Sequence, residues 1–268
     1  MTSPENDEAS QGARLVTFEA IDDVGRITIA NPRYRNAISS VVSAGIWDAF
    51  ESAEGDDRVK AVVIRGVDDS FCAGADLREV RKPAARSATS DKRRRGLVPY
   101  LGWTFTLSKP LIGAVNGPAY GAGFMLVQNC DLVVASPRAR FAVPEVRCGL
   151  SGAWASALPR WLPPRVAMEL LLTGEPLTAQ RAYELGMINR LVPPDRVDDE
   201  ALELARAIAR FRPANVRASR DLVRHSVEAD LDALLNAGYE LFRPVRDEQR
   251  AARAEHDKWK AGESGAQG

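Results

Sequence analysis

At 268 residues, the chain is long enough to bury a sizeable core, as one large domain or as a core with a helical appendage. Its 45% hydrophobic and 27% charged residues are typical of a globular protein, and Lys plus Arg balance Asp plus Glu at 36 each, so no net field attracts nucleic acid or an anionic membrane. It contains no apolar run of the roughly 18–20 residues that span a bilayer, and its N-terminus lacks the apolar segment of a signal peptide, which favours a cytoplasmic location.

The N-terminal region predicts a tail followed by a hairpin. Residues 1–12 are polar and are expected to be disordered. Residues 15–21 and 24–31 alternate well enough on either side of two aspartates to predict a β-hairpin.

A helix and a buried strand follow. Either Ser39 or Ser40 can cap a helix over about 41–54, because a serine hydroxyl accepts a hydrogen bond from a free N–H of the first turn. Residues 59–66 form a short β-branched apolar run that is typical of a buried strand.

The middle of the chain continues this alternation. Residues 111–116 predict a second buried strand, 124–129 a helix and 131–136 a further strand, which indicates a parallel-type sheet with right-handed crossovers. From about residue 163 onward the sequence has helical spacing, and it contains no internal repeat.

The cysteines and histidines do not point to metal or disulfide chemistry. Cys72, Cys130 and Cys148 are odd in number and lack ligand spacing, so they are interpreted as reduced, mostly buried thiols. His225 and His256 lie in charged, helical sequence away from other motifs, which argues against acid–base catalysis by histidine.

Two glycine-containing loops each follow a buried strand, and they are the candidate site of chemistry. FCAGADL (71–77) and PAYGAG (118–123) can each turn a backbone N–H toward a ligand, and two such donors converging on one oxygen form an oxyanion hole. A dinucleotide-binding turn does not fit because the third glycine and a well-placed acid are missing, and a P-loop is excluded because no GK[ST] exists. The alternative is that both loops are plain tight turns.

Five segments in order carry a resemblance to a known family; they are NPRYRNAI, FCAGADL, KPLIGAVNGPAYGAGFMLVQNCD, FAVPEV and LLTGEPLTAQRAYELGMINRLVP. Across residues 14–260 the chain resembles the crotonase (enoyl-CoA hydratase/isomerase) superfamily. The resemblance implies the α/β crotonase (ClpP/crotonase-like) fold, a spiral of ββα turns over residues 13–195 with a helical trimerisation region at 196–268. It also implies a coenzyme A thioester substrate, no other cofactor or metal, and a homotrimer or dimer of trimers.

The resemblance places the oxyanion donors on the backbone N–H groups of Ala75 and Ala122. The family has glycine where this chain has Ala122, so the donor is unstrained only if the φ angle of Ala122 is negative. Arg78 occupies a position where the family often places a cation near the coenzyme A phosphates, and Ala73 and Arg35 are assigned to the same binding site.

The acid–base residue implied by the resemblance is Glu145, in the family's PE dipeptide. Hydratases of the family typically carry a second glutamate on the helix after the glycine turn, where this chain has Met125. A thioether transfers no proton, so Met125 is interpreted as a wall of the acyl pocket or as core. Trp154 and Tyr239 are further candidates for that pocket, with helix packing as the alternative for Tyr239.

The predicted activity is therefore proton transfer at a thioester enolate. The single glutamate favours enoyl-CoA double-bond isomerisation, whereas hydration or dehydration is the more common activity of the family. One alternative is a non-catalytic acyl-CoA-binding protein. Another is an RNA-binding member that uses the basic run at 91–95, which the balanced overall charge disfavours.

Overall fold

The computed structural model describes residues 15–80 and 97–228, together with scattered positions from 236 to 254. Within these residues, nine strands form two sheets. The strands are β1 (Val16–Ile21), β2 (Val24–Ile29), β3 (Ala61–Gly66), β4 (Leu111–Val115), β5 (Pro118–Tyr120), β6 (Leu132–Ala135), β7 (Arg140–Ala142), β8 (Leu177–Thr178) and β9 (Arg190–Leu191).

Seven α-helices and four 3-10 helices connect these strands in the described residues. The α-helices are α1 (Ser40–Gly55), α2 (Leu77–Val80), α3 (Ala122–Asn129), α4 (Pro164–Thr173), α5 (Ala179–Glu184), α6 (Val197–Ala209) and α7 (Pro213–Glu228). The 3-10 helices are η1 (Pro32–Tyr34), η2 (Pro144–Cys148), η3 (Ala153–Arg160) and η4 (Pro194–Arg196).

The larger sheet has the strand order β1-β2-β3-β4-β6-β9. The first pair is the antiparallel hairpin that the sequence predicts, and every other pair is parallel. The smaller sheet has the order β5-β7-β8, with β5 parallel and β8 antiparallel to β7. The fold is thus the mixed α/β type that was predicted.

The central strands are covered on both faces, as their continuous apolar sequences require. Val62 and Ile64 of β3 face the main core, which also buries one side of α1. Ala61 and Val63 face the opposite side, where α6 covers the sheet. This alternation follows from the two-residue period of a strand.

Helix α1 begins where the sequence predicted. The hydroxyl of Ser39 accepts a hydrogen bond from the N–H of Val42 at 3.3 Å, so Ser39 rather than Ser40 is the N-cap. The helix runs one residue beyond the predicted range at each end.

Beyond residue 163 the chain contains more than helices. Strands β8 and β9 lie there and complete the two sheets, and the prediction of an entirely helical region is therefore wrong at these four residues. Such two-residue strands are too short to show the alternation of a strand, so the sequence pattern does not predict them.

The two helices after residue 195 are anchored to the core. Helix α6 packs its apolar face on the larger sheet. On α7, Arg220 and Arg224 donate to the same carboxylate oxygen of Asp131, at 3.0 and 2.9 Å, while the other oxygen accepts from the N–H of Leu111 at 2.8 Å. An oligomerisation role for residues 196–268 stays a prediction.

Several predictions concern residues outside the described part of the chain: the tail at 1–12, the basic run at 91–96 and His256. The side chain of His225 is likewise not described. Of the thiols, Cys72 and Cys130 are buried and Cys148 is exposed. No helix among the described residues has the length and apolar character to cross a bilayer.

Asn36 connects the loop after β2 to the loop after β3. It is fully buried and has a φ angle of 58°, a left-handed conformation that asparagine tolerates. Its Oδ1 accepts from the N–H of Asn31 at 2.9 Å, and its Nδ2 donates to the carbonyls of Val67 and Ser70 at 2.9 and 2.7 Å. One side chain therefore satisfies three backbone groups.

Replacing this side chain tests its role. Asn36→Ala leaves those three groups without their partner, and we expect the free energy of unfolding to fall by about 2–5 kcal/mol in urea titrations. Asn215→Ala, on the exposed start of α7, is the matched control and should change it by less than about 0.5 kcal/mol. Equal effects of the two substitutions would contradict the assigned role of Asn36.

Candidate active site

The two glycine-containing loops lie side by side. The N–H of Cys72 donates to the carbonyl of Pro118 at 3.0 Å, and the N–H of Tyr120 donates to the carbonyl of Cys72 at 3.0 Å. Residues 118–120, predicted as part of a turn, are therefore strand β5, which runs parallel to the first loop.

The first loop leaves one N–H free. Ile38 pairs with both neighbours of Ala75, because its N–H donates to the carbonyl of Gly74 at 2.8 Å and its carbonyl accepts from Asp76 at 2.9 Å. Within the described residues, the N–H of Ala75 donates to no protein acceptor. Ala75 is the residue assigned as the first oxyanion donor, and that role stays a prediction.

The second loop supplies another N–H at the start of α3. Gly121 precedes this helix with a φ angle of 52°, and Ala122 is absent from the residues that have a positive φ. The alanine at this position is thus unstrained. Its N–H likewise donates to no protein acceptor in the described part of the chain.

Contact between the loops brings the two donors together. A Cβ built on Gly74 would lie 2.7 Å from the carbonyl oxygen of Tyr120 and 3.7 Å from the nitrogen of Ala122. Only a residue without a side chain fits there, and the φ angle of 96° at Gly74 also requires glycine. The residue next to Gly74 is Ala75, so the backbone nitrogens of Ala75 and Ala122 lie near each other.

Glu145, on η2, lies beside the glycine turn at Gly121. A Cβ built on Gly121 would be 3.2 Å from Oε1 of Glu145, which shows how closely the carboxylate approaches the glycine turn. Oε1 accepts a hydrogen bond from Nε1 of Trp154 at 2.7 Å. Oε2 is buried, and no described residue gives it a hydrogen bond.

Burial is the main influence on the protonation of Glu145. Loss of solvent raises the pKa of its carboxyl group above the ordinary value, whereas the Trp154 N–H and the residue's own backbone N–H act in the opposite direction. A raised pKa suits a group that must both accept and return a proton near neutral pH.

Two of the predicted pocket residues, Met125 and Trp154, lie on α3 and η3. Met125 lies one turn into α3, and only 9% of it is exposed. The Trp154 ring meets the buried ring of Phe124 edge to face, with centroids 6.2 Å apart. Trp154, predicted only as part of the acyl pocket, therefore also contacts the candidate base, and no sequence pattern signalled that hydrogen bond.

The predicted coenzyme A contacts are more dispersed. The guanidinium of Arg78 binds the carboxylate of Asp76 with two nitrogens and lies 3.6 Å from the ring centre of Tyr34. This pairing raises the pKa of Arg78 further and partly offsets its charge. The N–H of Ala73 donates to the carbonyl of Arg35 at 3.0 Å, and the Arg35 side chain is exposed.

Tyr239, the remaining predicted pocket residue, contacts Trp103. Their ring centres are 5.6 Å apart and the rings are inclined by 34°. About a third of Tyr239 is exposed, at 37%. Its place in an acyl pocket stays a prediction.

Comparison with known proteins identifies the family of the chain. A family model described as enoyl-CoA hydratase/isomerase matches residues 19–259. The chain is 36% identical to the mevalonyl-coenzyme A hydratase of Aspergillus fumigatus, over 80% of this chain and 81% of that protein. It is 34% identical to the 2,3-dehydroadipyl-CoA hydratase of Escherichia coli, over 81% and 84% respectively.

Comparison with a solved structure identifies the fold. A carnitinyl-CoA dehydratase from Mycobacterium avium superposes with a TM-score of 0.74 at 39% identity, covering 86% of this chain and 91% of that chain. The crotonase fold predicted from the five sequence segments is confirmed.

The packing of α3 on the first loop can be tested at Gly123. A Cβ built there would be 2.3 Å from the carbonyl oxygen of Cys72, a contact that backbone atoms cannot relieve without moving. We expect Gly123→Ala to lower the free energy of unfolding by more than about 2 kcal/mol or to prevent folding. Gly55→Ala, with no atom within 4 Å of its added Cβ, should change it by less than about 1 kcal/mol.

Thermal unfolding and soluble yield of both variants measure this difference. If Gly123→Ala were as stable as Gly55→Ala, the close approach of α3 to the loop would be refuted.

Proposed function

The chain belongs to the enoyl-CoA hydratase/isomerase family, and from this premise we propose that it adds water to a 2-enoyl-CoA thioester or dehydrates the corresponding 3-hydroxyacyl-CoA. The similar proteins are named as hydratases and a dehydratase of CoA thioesters, which favours this reaction over isomerisation. The observation that carries the proposal is one buried carboxylate beside two unpaired backbone N–H groups.

The two N–H groups would bind the thioester oxygen. When water attacks Cβ of the enoyl group, negative charge moves to that oxygen as an enolate forms. Donors that are already fixed stabilise this charge without reorganisation, and loss of one such donor lowers kcat by about 10²–10³-fold in comparable sites. Ala75 and Ala122 are assigned this role.

Glu145 would move the proton. Its carboxylate takes a proton from the attacking water as the C–O bond to Cβ forms, and returns the proton to Cα as the enolate collapses. The carboxylate ends the cycle unchanged, so a single acid–base residue balances the reaction. Dehydration runs through the same steps in reverse.

Double-bond isomerisation is the second candidate, and Met125 is the observation that favours it. Where a second glutamate could help to orient water, this chain has a buried thioether. An isomerase needs only the enolate and one carboxylate, which takes a proton from one carbon and returns it to another. Both reactions therefore use the same residues and differ in whether water enters.

The oligomeric state, the location, the cofactor and the coenzyme A contacts are also proposals. A homotrimer or dimer of trimers, a cytoplasmic location and the absence of a further cofactor are expected from the resemblance and the sequence. Arg78, Ala73 and Arg35 remain the candidate contacts for coenzyme A. Large apolar side chains are exposed on α4 and α7, which suits association between copies; they include Met168, Leu172, Leu222 and Val223.

Product analysis in D₂O separates the candidate reactions. We expect wild-type protein to convert crotonyl-CoA into 3-hydroxybutyryl-CoA with one deuterium at Cα, as seen by mass spectrometry and NMR. Glu145→Gln should lower the rate by at least about 10³-fold because the proton carrier is gone. Migration of the double bond of 3-hexenoyl-CoA without water addition would instead establish the isomerase, and binding without turnover or exchange would contradict both.

The Glu145→Gln variant should still fold. The pKa of Glu145 is raised in the folded state, so the native protein binds this proton more tightly than the unfolded chain does. Its contribution to stability is present at low pH and is lost as pH rises through the folded-state pKa. At neutral pH the neutral amide should therefore be at least as stable, and a loss of activity reports chemistry.

The approach of Gly121 to Glu145 gives a second test. Gly121→Ala places alanine at φ 52° and ψ −120°, a conformation essentially restricted to glycine, whereas Gly149→Ala places it at φ 63° and ψ 30°, in the left-handed region, so the Gly121 variant also carries more backbone strain. Only the first adds a Cβ against the carboxylate, since nothing lies within 4 Å at Gly149. We expect kcat/KM to fall more than tenfold in Gly121→Ala and less than threefold in Gly149→Ala. Equal losses would show that the contact is irrelevant to catalysis.

A further inference from the structure

The two oxygens of the Glu145 carboxylate have different surroundings. Oε1 accepts from the indole N–H of Trp154 at 2.7 Å. Oε2 is buried and receives no hydrogen bond from any described residue. Because an ionised carboxylate is an acceptor at both oxygens, Oε2 is the oxygen to which no described residue donates.

Trp154 is itself held in place. It lies near the start of η3, and its ring stands edge to face against Phe124 of α3 at an angle of 77°. Phe124 is fully buried and packs in turn on Phe141 of β7, with centroids 5.5 Å apart. The direction of the indole N–H is therefore set by the same helix whose first N–H is the Ala122 donor.

Apart from the residue's own backbone N–H, Trp154 is the one hydrogen-bond donor to this carboxylate among the described residues. Burial opposes its ionised form. A hydrogen bond from a fixed neutral donor stabilises the charged form without introducing a counter-ion that would compete for the proton.

We infer that Trp154 is the positioning residue of the proposed reaction: its indole N–H holds Oε1, favours the ionised form of the carboxylate and leaves Oε2 as the proton-transferring atom. This inference rests on the proposed role of Glu145. In this proposal, the indole N–H of Trp154 takes over part of the positioning role that a second carboxylate would have. Trp154 touches the base rather than the reacting atoms, so its effect is indirect.

Charged groups on the neighbouring elements are directed elsewhere or lie at the surface. On η2, Arg147 donates to the Thr173 carbonyl at 2.7 Å and pairs with Glu175, and Cys148 is exposed. The other titratable side chains of the elements packed around Glu145 are Tyr120 of β5, Arg160 of η3, and Arg165 and Glu169 of α4. The shift in the pKa of Glu145 comes from burial, Trp154 and the residue's own backbone.

The first test is the pH dependence of kcat/KM for crotonyl-CoA hydration. Trp154→Phe keeps an aromatic ring against Phe124 but removes the N–H. Loss of a hydrogen bond to the charged form raises the pKa of the base, so the acid limb should move up by about one pH unit. Trp47→Phe is the control, because Trp47 is buried and its indole N–H has no partner among the described residues.

A merely structural role for Trp154 would give a different profile. Activity would then fall by the same factor at every pH, as expected of a packing defect, and the acid limb would stay with those of wild type and Trp47→Phe. That result would overturn the inference.

The second test does not depend on turnover. In protein labelled with ¹⁵N-tryptophan, the indole resonance missing from Trp154→Phe identifies Trp154, and its chemical shift should titrate with pH in wild type but not in Glu145→Gln. If the resonance titrates but the protein is inactive on every enoyl-CoA tested, the contact between Trp154 and Glu145 is supported and the proposed function is wrong. If the chemical shift of this resonance changes neither with pH nor in Glu145→Gln, the inference is wrong, whatever the activity of the protein.

Discussion

The site depends on the contact between the loop at 71–76 and strand β5. Backbone hydrogen bonds between Cys72 and its partners on β5 align the two segments, and Gly74 then lies against the Tyr120 carbonyl with no room for a side chain. In the proposed site, this alignment brings the backbone nitrogens of Ala75 and Ala122 near each other. Because both donors belong to the backbone, their positions follow from main-chain packing, and the alanine in place of glycine at 122 is tolerated.

Burial then gives a single carboxylate its chemical character. Burial raises the pKa of the Glu145 carboxyl group, and the hydrogen bond from the indole of Trp154 acts in the opposite direction. In the proposed reaction, a low local dielectric would also strengthen the interaction of the two N–H donors with a developing enolate, since charges interact more strongly there. The family resemblance places a second glutamate where this chain has Met125, so the proposed mechanism assigns proton transfer to Glu145 alone, with Trp154 as a hydrogen-bond donor to one of its oxygens.

Much of this could be predicted from the sequence, because the signals are local. The hairpin, the buried strands and a serine cap at residue 39 or 40 follow from side-chain period and from hydroxyl chemistry, and the positions of the two glycine-containing loops follow from glycines placed after buried strands. Strands β5, β8 and β9 could not be predicted, since two or three residues carry no period. The Trp154 to Glu145 hydrogen bond joins two 3-10 helices whose relative placement is decided by packing on α3 and α4. The pairing of Arg78 with Asp76 and Tyr34 similarly depends on how the loop after β2 folds against α2.

The central claim is that two backbone N–H groups converge on the thioester oxygen, and infrared spectroscopy of a bound substrate tests it most directly. Crotonyl-CoA labelled with ¹³C at the thioester carbonyl can be bound to Glu145→Gln, where turnover does not consume it. Two fixed donors polarise the carbonyl, so its stretching band should move to lower wavenumber than that of the free thioester in water. A bound thioester whose carbonyl band stays at its solution position would contradict the oxyanion hole and the mechanism built on it.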